Sequence, residues 1–535
     1  MGPNPPIQGG RSRSRDAVAL AILGIALVLW SAFFIASTSF VADRRRFFCL
    51  FDDAMISMTY ARNLLDGFGL NWARWGRPVE GFTHPLWVLA MVPINLIAPR
   101  AWAALGVQIL SLCCLLADLV LVHRLARRLS GSSLAAFVAA AVTATYYPLN
   151  HWALQGMESG LQAFLIAWVA NIALDFARNE QPGAWKLALI VGTSLLLRSD
   201  MVVPISAALA FLVASGGLKR ASARQWAWAV ALAVVAPGAW QVFRWVYFGD
   251  VLPNTYYLKM TGVPANVRML RGWLVFVDFL EPLTVPVSLA IGLGLAAIRR
   301  ERALLLPLGI VVACFGYSIY VGGDAWEWSS VGANRFTSIA MPMLFVLGVS
   351  GAQHMAALAG SKLVESRKKW LQIMAVASFG LMLGVSANAL WGTRRSAEKR
   401  RNWTLAEIPL HVNDNAIAVR ETLALSRLTT PRIRVALGWA GIPAFFSNWE
   451  LVDLLGYNDA LLAKRPVTRP VSIREPLQLK PGHMKADLDF SLTEGRPDVV
   501  FQLWALESGG LEQILQRHGF EHRGAYWFRR GGVNQ

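Results

Sequence analysis

Charge and cysteine are what this chain has least of. Of its 535 residues only 16% are charged, while 55% are hydrophobic, and the mean hydropathy is +0.42. That balance excludes a large soluble protein and indicates a polytopic membrane protein. There are four cysteines. Cys113, Cys114 and Cys314 fall in apolar segments and only Cys49 lies in a polar loop, which excludes a disulfide framework or a cysteine-based metal site. Acids are also scarce, 33 against 51 Lys and Arg, for a formal net charge of +18. In a membrane chain the bases gather in cytoplasmic loops that face anionic lipid, so the excess does not argue for nucleic acid as a partner. A glycine-rich nucleotide loop, an energy-coupling motif and a solenoid repeat are absent as well.

What is present is a series of apolar runs separated by polar turns. Residues 1–16 read as a disordered cytoplasmic arm carrying Arg11, Arg13 and Arg15. The run Ala17 to Phe40 exceeds a signal-peptide core and reads as a retained first helix. Leu86 to Ala98 is short and contains Pro93, so it reads as a re-entrant or interfacial helix inside a first outer loop of about 41–100. Ala101 to Val122 then ends in His123-Arg124-Leu125-Ala126-Arg127-Arg128, an inside signal. Alternating the later runs from that point, with Leu274 to Ile298 as one of them, gives about eleven spans in residues 17–392. Residues 393–535 change composition and read as a periplasmic α/β domain, with a helix at Ala416 to Leu428 and strands at Ile433 to Leu437 and Asp498 to Leu503.

With this topology most polar clusters fall on the outer side. Asp52 and Asp53 open the helix-like stretch Ala54 to Leu65. A helix-start charge explains one of them, but not both in this company. Glu80 and His84 follow in the same loop. Glu158 is explained equally well as a helix-terminal charge or as a site residue, and Arg198 with Asp200 is best read as an ion pair pinning two helices. Asp250 and Asn254 fit a turn around Pro253, and Tyr256 and Tyr257 fit an interfacial aromatic pair, but Lys259 at the membrane edge is left unexplained by either. Asp324 and Arg335 complete the set. Arg44, Arg45 and Arg46 break the positive-inside bias, so Arg45 and Arg46 are candidates, with Lys259 and Arg335, for holding an anionic lipid headgroup. Ionisable groups at membrane depth usually mark a function or a pair, and this convergence indicates an outward-facing cavity.

Four stretches carry a resemblance. They are Asp52-Asp53-Ala54 through Tyr60-Ala61-Arg62-Asn63-Leu64, Pro78-Val79-Glu80-Gly81-Phe82-Thr83-His84-Pro85, Gly249-Asp250-Val251-Leu252-Pro253-Asn254-Thr255-Tyr256-Tyr257-Leu258-Lys259, and Gly322-Gly323-Asp324 followed by Arg335-Phe336. Together they resemble the GT-C membrane glycosyltransferases and, more narrowly, the mycobacterial terminal arabinofuranosyltransferases of the AftB type and their relatives in other bacteria. Asp453 to Asp459 and Gly482 to Lys485 resemble the extracytoplasmic tail of that group.

The resemblance implies a polytopic GT-C fold in a bacterial cytoplasmic membrane, with the N-terminus cytoplasmic. It implies a polyprenyl-phosphate sugar donor, arabinofuranose first among the sugars, and an extracytoplasmic glycan, glycolipid or protein acceptor. Asp52 matches the catalytic loop aspartate best and Asp53 second, while Glu80, His84, Glu158, Asn254, Tyr257 and Asp324 are the candidates for substrate binding. No metal is expected, the visible carboxylates being scattered. This chain departs from the group in the long insert Asp324 to Ser330 before Arg335, which leaves the roles of Asp324 and Arg335 open. A lipid or polar-solute transporter or flippase is the rival reading. It calls for inverted repeats and gates on both faces, whereas the polar groups here gather on one.

Overall fold

The computed structural model describes residues 9–180, 183–327, 329, 331–391, 395–430, 432–469, 471–503, 506 and 510–531. Residues 1–8 of the expected arm, the side chains of Arg11 and Arg13, and the expected domain boundary at 392–393 lie outside the described residues.

The helices run in the order α1 (Gly9–Ser37), α2 (Asp52–Leu65), α3 (Pro85–Ile97), α4 (Arg100–Ser130), α5 (Ser133–Ala144), α6 (Tyr147–Leu154) and α7 (Ser159–Ala177). They continue as α8 (Ala184–Leu197), α9 (Val202–Ala214), α10 (Ala223–Phe243), α11 (Asn254–Met260), α12 (Ala265–Leu280), α13 (Thr284–Ile298), α14 (Leu305–Val321), α15 (Arg335–Ser338), α16 (Met341–Ala359) and α17 (Glu365–Ala387). Eight helical stretches among the described residues are long and apolar enough to cross a membrane, and α3, α5, α8 and α9 are shorter apolar helices.

Two boundaries differ from those the apolar runs suggest. Helix α1 is already helical at Gly9, the first described residue, and so reaches well N-terminal of the run that begins at Ala17. The run Leu274 to Ile298 is not one helix. Glu281-Pro282-Leu283 form a 3₁₀ turn between α12 and α13, since Pro282 cannot donate to the ladder.

The polar residues of the bundle separate to its two ends. At one end Arg127 stands 3.5 Å from Asp16, Arg128 2.5 Å from Asp175 and 2.8 Å from Glu180, and Arg178 2.8 Å from Glu301. These residues come from turns that the charge pattern placed on one side. The opposite end carries α2 and the tail.

Between α1 and α2 lies a hairpin, β1 (Ser39–Ala42) paired antiparallel with β2 (Arg45–Phe48). Asp43 and Arg44 both have positive φ, 48° and 61°, the pattern of a two-residue type I′ turn. The triple arginine is thus part of a hairpin, with Arg44 in its turn and Arg45 and Arg46 exposed on β2.

The tail contains α18 (Ser396–Trp403), α19 (Val412–Leu428) and a five-stranded sheet flanked by short helices. Its strands are β3 (Arg434–Leu437), β4 (Glu450–Asp453), β5 (Val499–Phe501), β6 (Phe520–Arg523) and β7 (Tyr526–Arg529), in the order β4-β3-β5-β7-β6. The first three are parallel and β7 is antiparallel to both of its neighbours. Strands β3 and β5 are buried on both faces, which is why they read as apolar runs.

Helix α2 joins the two halves, and its motif shows how. After β3 the chain makes a short helix, α20 (Ile442–Phe446). At one end of α2, the Gly441 and Ile442 N–H groups donate to Asp52 at 3.0 and 2.9 Å. At the other, buried Arg62 donates to the Ala444, Phe445 and Ser447 carbonyls at 2.9, 2.5 and 2.9 Å. Between them Tyr60 donates to the Val79 carbonyl at 2.6 Å and meets Asn458 Oδ1 at 2.9 Å. A Cβ on Gly441 would stand 2.1 Å from the Asp52 carbonyl oxygen, so the close approach requires glycine there.

Candidate active site

Asp52 and Asp53 occupy the first turn of α2 without capping it: Phe51 is the N-cap, and no side chain bonds the cap. Adjacent residues on a helix point about 100° apart, and the two carboxylates have different partners. Asp52 is turned to the tail and accepts from Gly441 and Ile442. Asp53 is turned to the bundle, where Arg335 Nη1 lies 3.1 Å from Oδ2.

Arg335 is shared. Its Nε donates to Asp324 Oδ2 at 2.7 Å. Buried Glu327 holds the ends of the intervening loop together, accepting from the Asp324 N–H at 2.5 Å and from Asn334 Nδ2 at 2.7 Å. The long insert before Arg335 is therefore closed on itself by Glu327, and Asp324 and Arg335 meet despite it. Burial works against ionised Asp324, but Arg335 and Lys259 outweigh it and hold the carboxyl down to about 2. The Glu327 carboxyl, with weaker support, is pushed up to about 7 by burial.

A second group stands beside this one. Arg198 donates to Glu158 Oε1 and to Asp200 Oδ2, each at 2.5 Å. The expected Arg198–Asp200 pair is present, and Glu158 joins it. His84 Nε2 lies 2.7 Å from Ser57 Oγ. Half-buried Lys259 has its ammonium 5.1 Å from the centre of the Tyr457 ring, a cation–π contact to the tail. Burial lowers the Lys259 ammonium from its ordinary value.

Two cavities meet at the start of α2. One, of about 200 Å³, lies between helix ends and is lined by Asp53, Ser57, His84, Arg198, Lys259 and Arg335 among others. The other, of about 1130 Å³, opens between α2 and the tail and is lined by Asp52, Asp53, Trp326, Trp439, Lys480 and His483 among others. Asp53, Ile56 and Tyr457 line both. On the tail side the Asp52 carboxyl is pushed up to about 8, chiefly by burial, with the Ile442 N–H opposing and Asp53 reinforcing the shift. No cation pairs with Asp52 among the described residues.

Of the residues singled out from the sequence, the structure brings Asp52, Asp53, His84, Glu158, Lys259, Asp324 and Arg335 together. Arg45 and Arg46 line neither cavity; Arg46 bonds Ser39 within the hairpin. Glu80 is a buried strut, 2.5 Å from Arg244 Nε. Asn254 clamps the loop to the tail by donating to the Gly456 and Tyr457 carbonyls at 2.9 and 2.8 Å. Tyr257 stacks under Lys464, while its neighbour Tyr256 lines the smaller cavity. Ser57, Tyr457 and Trp439 were not anticipated. Ser57 sits one turn after Asp53, which helical spacing could have revealed; Tyr457 lies in the stretch Asp453 to Asp459 that carried the tail resemblance, while nothing local marks Trp439. Among the described residues no group of three or more His, Cys, Asp and Glu stands together as a metal-ligand set.

No family model matches the chain. It is 25% identical over 316 residues to the terminal beta-(1->2)-arabinofuranosyltransferase of Corynebacterium glutamicum. That match covers 51% of this chain and 44% of the relative, so it spans less than half of the relative's length. Among solved structures, the fold is similar to ArnT from Cupriavidus metallidurans bound to undecaprenyl phosphate, with a TM-score of 0.57 and 12% identity over 96% of this chain and 99% of that one. The apo form of ArnT gives 0.53 and 14% over 90% and 93%. At these identities the likeness is one of fold: the chain shares the fold of ArnT, a polytopic membrane fold of the kind the resemblance implied.

Proposed function

We propose that this protein transfers a sugar, arabinofuranose first among candidates, from a polyprenyl phosphate to an extracytoplasmic glycan, glycolipid or protein. The observation that carries the reading is the pair of cavities meeting at Asp52 and Asp53, one rich in fixed cations at helix ends and the other walled by the tail. A lipid phosphate entering between the helices would meet Arg335, Lys259 and Arg198, whose charge can take up the negative charge of the leaving phosphate. The acceptor hydroxyl would arrive from the tail side.

The base is Asp52. Asp53 is engaged by Arg335, whereas Asp52 has no cation paired with it among the described residues and faces the acceptor cavity with a carboxyl raised by burial. Asp53 instead fixes Arg335 toward the donor. The part-length likeness to an arabinofuranosyltransferase supports the choice of sugar, and the undecaprenyl phosphate bound to ArnT supports a lipid-phosphate donor. The positive-inside bias puts the N-terminus in the cytoplasm of a bacterial cell and the tail outside.

The test is to incubate purified protein with a labelled polyprenyl-phosphate pentofuranose and an acceptor glycan. Release of polyprenyl phosphate coupled to labelled acceptor is expected from the wild type, and Asp52→Asn should bind the donor without transferring it. Full activity in both Asp52→Asn and Asp53→Asn would remove the mechanism. Movement of intact donor across vesicles without cleavage would favour the transporter reading.

A further inference from the structure

His84 is held from both sides in a way that leaves one arrangement of protons. Its Nδ1 stands 3.5 Å from Glu158 Oε2, and neither atom has a hydrogen-bond partner elsewhere among the described residues. Both side chains are buried, at 6% and 1% exposure, which favours their pairing with each other. An ionised carboxylate only accepts, so the ring proton belongs on Nδ1. Two further facts keep the pair in that form. Burial lowers the His84 ring, which therefore stays neutral. Burial opposes ionised Glu158, but the fixed cations around it, with Arg198 2.5 Å from Oε1, outweigh burial and hold the carboxyl down to about 2.

A neutral imidazole protonated on Nδ1 presents a lone pair at Nε2. The group 2.7 Å from Nε2 is the Ser57 hydroxyl, which must then spend its only proton on His84. Ser57 Oγ is left with lone pairs and nothing to donate. Such an atom repels a phosphate oxygen, which also only accepts, and binds a hydroxyl, which donates. Ser57 lines the membrane-side cavity and not the tail-side one. It follows Asp53 by four residues on α2, a rise of about 6 Å along the same face.

The geometry points to Ser57 as a specificity-determining residue that accepts a hydrogen bond from a ring hydroxyl of the lipid-borne sugar, with His84 and Glu158 as positioning residues that fix it as an acceptor. This rests on the reading of the protein as a lipid-phosphate-dependent glycosyltransferase. The cations of the cavity take the phosphate, and the Ser57–His84–Glu158 relay reads the sugar.

The experiment uses the full-length protein with a synthetic polyprenyl-phosphate pentofuranose and the set of its single-deoxy analogues. Wild type should use one deoxy analogue about 10–100-fold less efficiently in kcat/KM than the complete donor. Ser57→Ala should lose efficiency on the complete donor and treat the two alike to within about twofold, while Ser57→Thr, which keeps the hydroxyl, should restore the preference. His84→Ala frees the Ser57 proton and should also erase the discrimination with Ser57 still in place.

An unchanged preference in an active Ser57→Ala protein overturns the assignment, as does a wild type indifferent to every deoxy donor, a result that needs no variant to fold. Loss of discrimination against a deoxy acceptor instead of a deoxy donor overturns the choice of sugar, and a glycosyl or phosphoryl adduct on Ser57 overturns its role as an acceptor. Absence of transfer from any lipid-phosphate sugar by the wild type would instead sink the reading on which the inference stands.

Discussion

The membrane-side and tail-side cavities share Asp53 yet are built from different materials. The first is small, and its cations are pinned by acids: Arg335 by Asp53 and buried Asp324, Arg198 by Asp200 and buried Glu158. Such pairs cost desolvation and add little stability, but they fix a cation in place in advance of any anionic ligand. The second is over five times larger, about 1130 against about 200 Å³, and one wall belongs to a domain that grips α2 through backbone groups. A fixed charged pocket suits a ligand whose headgroup never varies, and a wide cleft suits a larger one. Two adjacent aspartates thereby acquire different work, because a helix turns them to different walls.

Exchanging the two carboxylates for amides is the sharpest way to break that comparison. Asp52→Asn should lower kcat by about 10²–10⁴-fold, the usual share of a general base, with donor KM little changed. Asp53→Asn should act mainly on donor KM, since it frees Arg335; initial rates over a donor titration distinguish the two. Similar kcat losses with unchanged KM in both would erase the distinction.

Arg335→Gln removes the shared cation and leaves Asp324 buried without its main partner. Donor affinity should fall by about 10–100-fold, read by competition with polyprenyl phosphate, given that charge-assisted bonds contribute about 1.5–3 kcal/mol. Gly441→Ala tests the tail-side wall. Its methyl would lie 2.1 Å from the Asp52 carbonyl oxygen and 2.5 Å from Oδ1, so stability should drop by about 1–3 kcal/mol as α20 shifts from α2, seen as a lower midpoint in thermal unfolding.

The last test concerns pH. With its carboxyl raised from 3.8 to about 8, Asp52 binds a proton in the folded state that the unfolded chain has already lost. Stability attributable to this group is therefore fully present below about 3.8 and is lost as pH rises through about 8. Asp52→Asn should flatten that part of the profile in pH-dependent melts. Transfer has the opposite slope, gaining active base as pH climbs toward 8.

Much of the architecture was legible along the chain. Apolar runs and basic turns marked the bundle and its two ends, because length and hydropathy are local quantities. The α/β tail followed from the strand-like runs Ile433 to Leu437 and Asp498 to Leu503, within which β3 and β5 lie. The site was half legible. Asp52, Asp53, His84, Lys259, Asp324 and Arg335 stood out as ionisable groups beside membrane helices. Arg45 and Arg46 stood out equally, yet a type I′ turn makes them a solvent-facing hairpin. Glu80 and Asn254 looked like substrate ligands and are struts, since sequence cannot tell a buried polar group that holds a loop from one that meets a ligand.

The sequence by itself determined that the protein lives in a membrane, that its basic turns mark one end of the bundle and mixed polar clusters the other, and that an acidic pair begins a helix at the latter. Each of these depends on composition and spacing within tens of residues. Only the tertiary structure decided that Asp52 belongs to the tail and Asp53 to the bundle. Their partners, Gly441 and Arg335, lie hundreds of residues away along the chain, and only folding brings them within a hydrogen bond of neighbouring side chains on one helical turn.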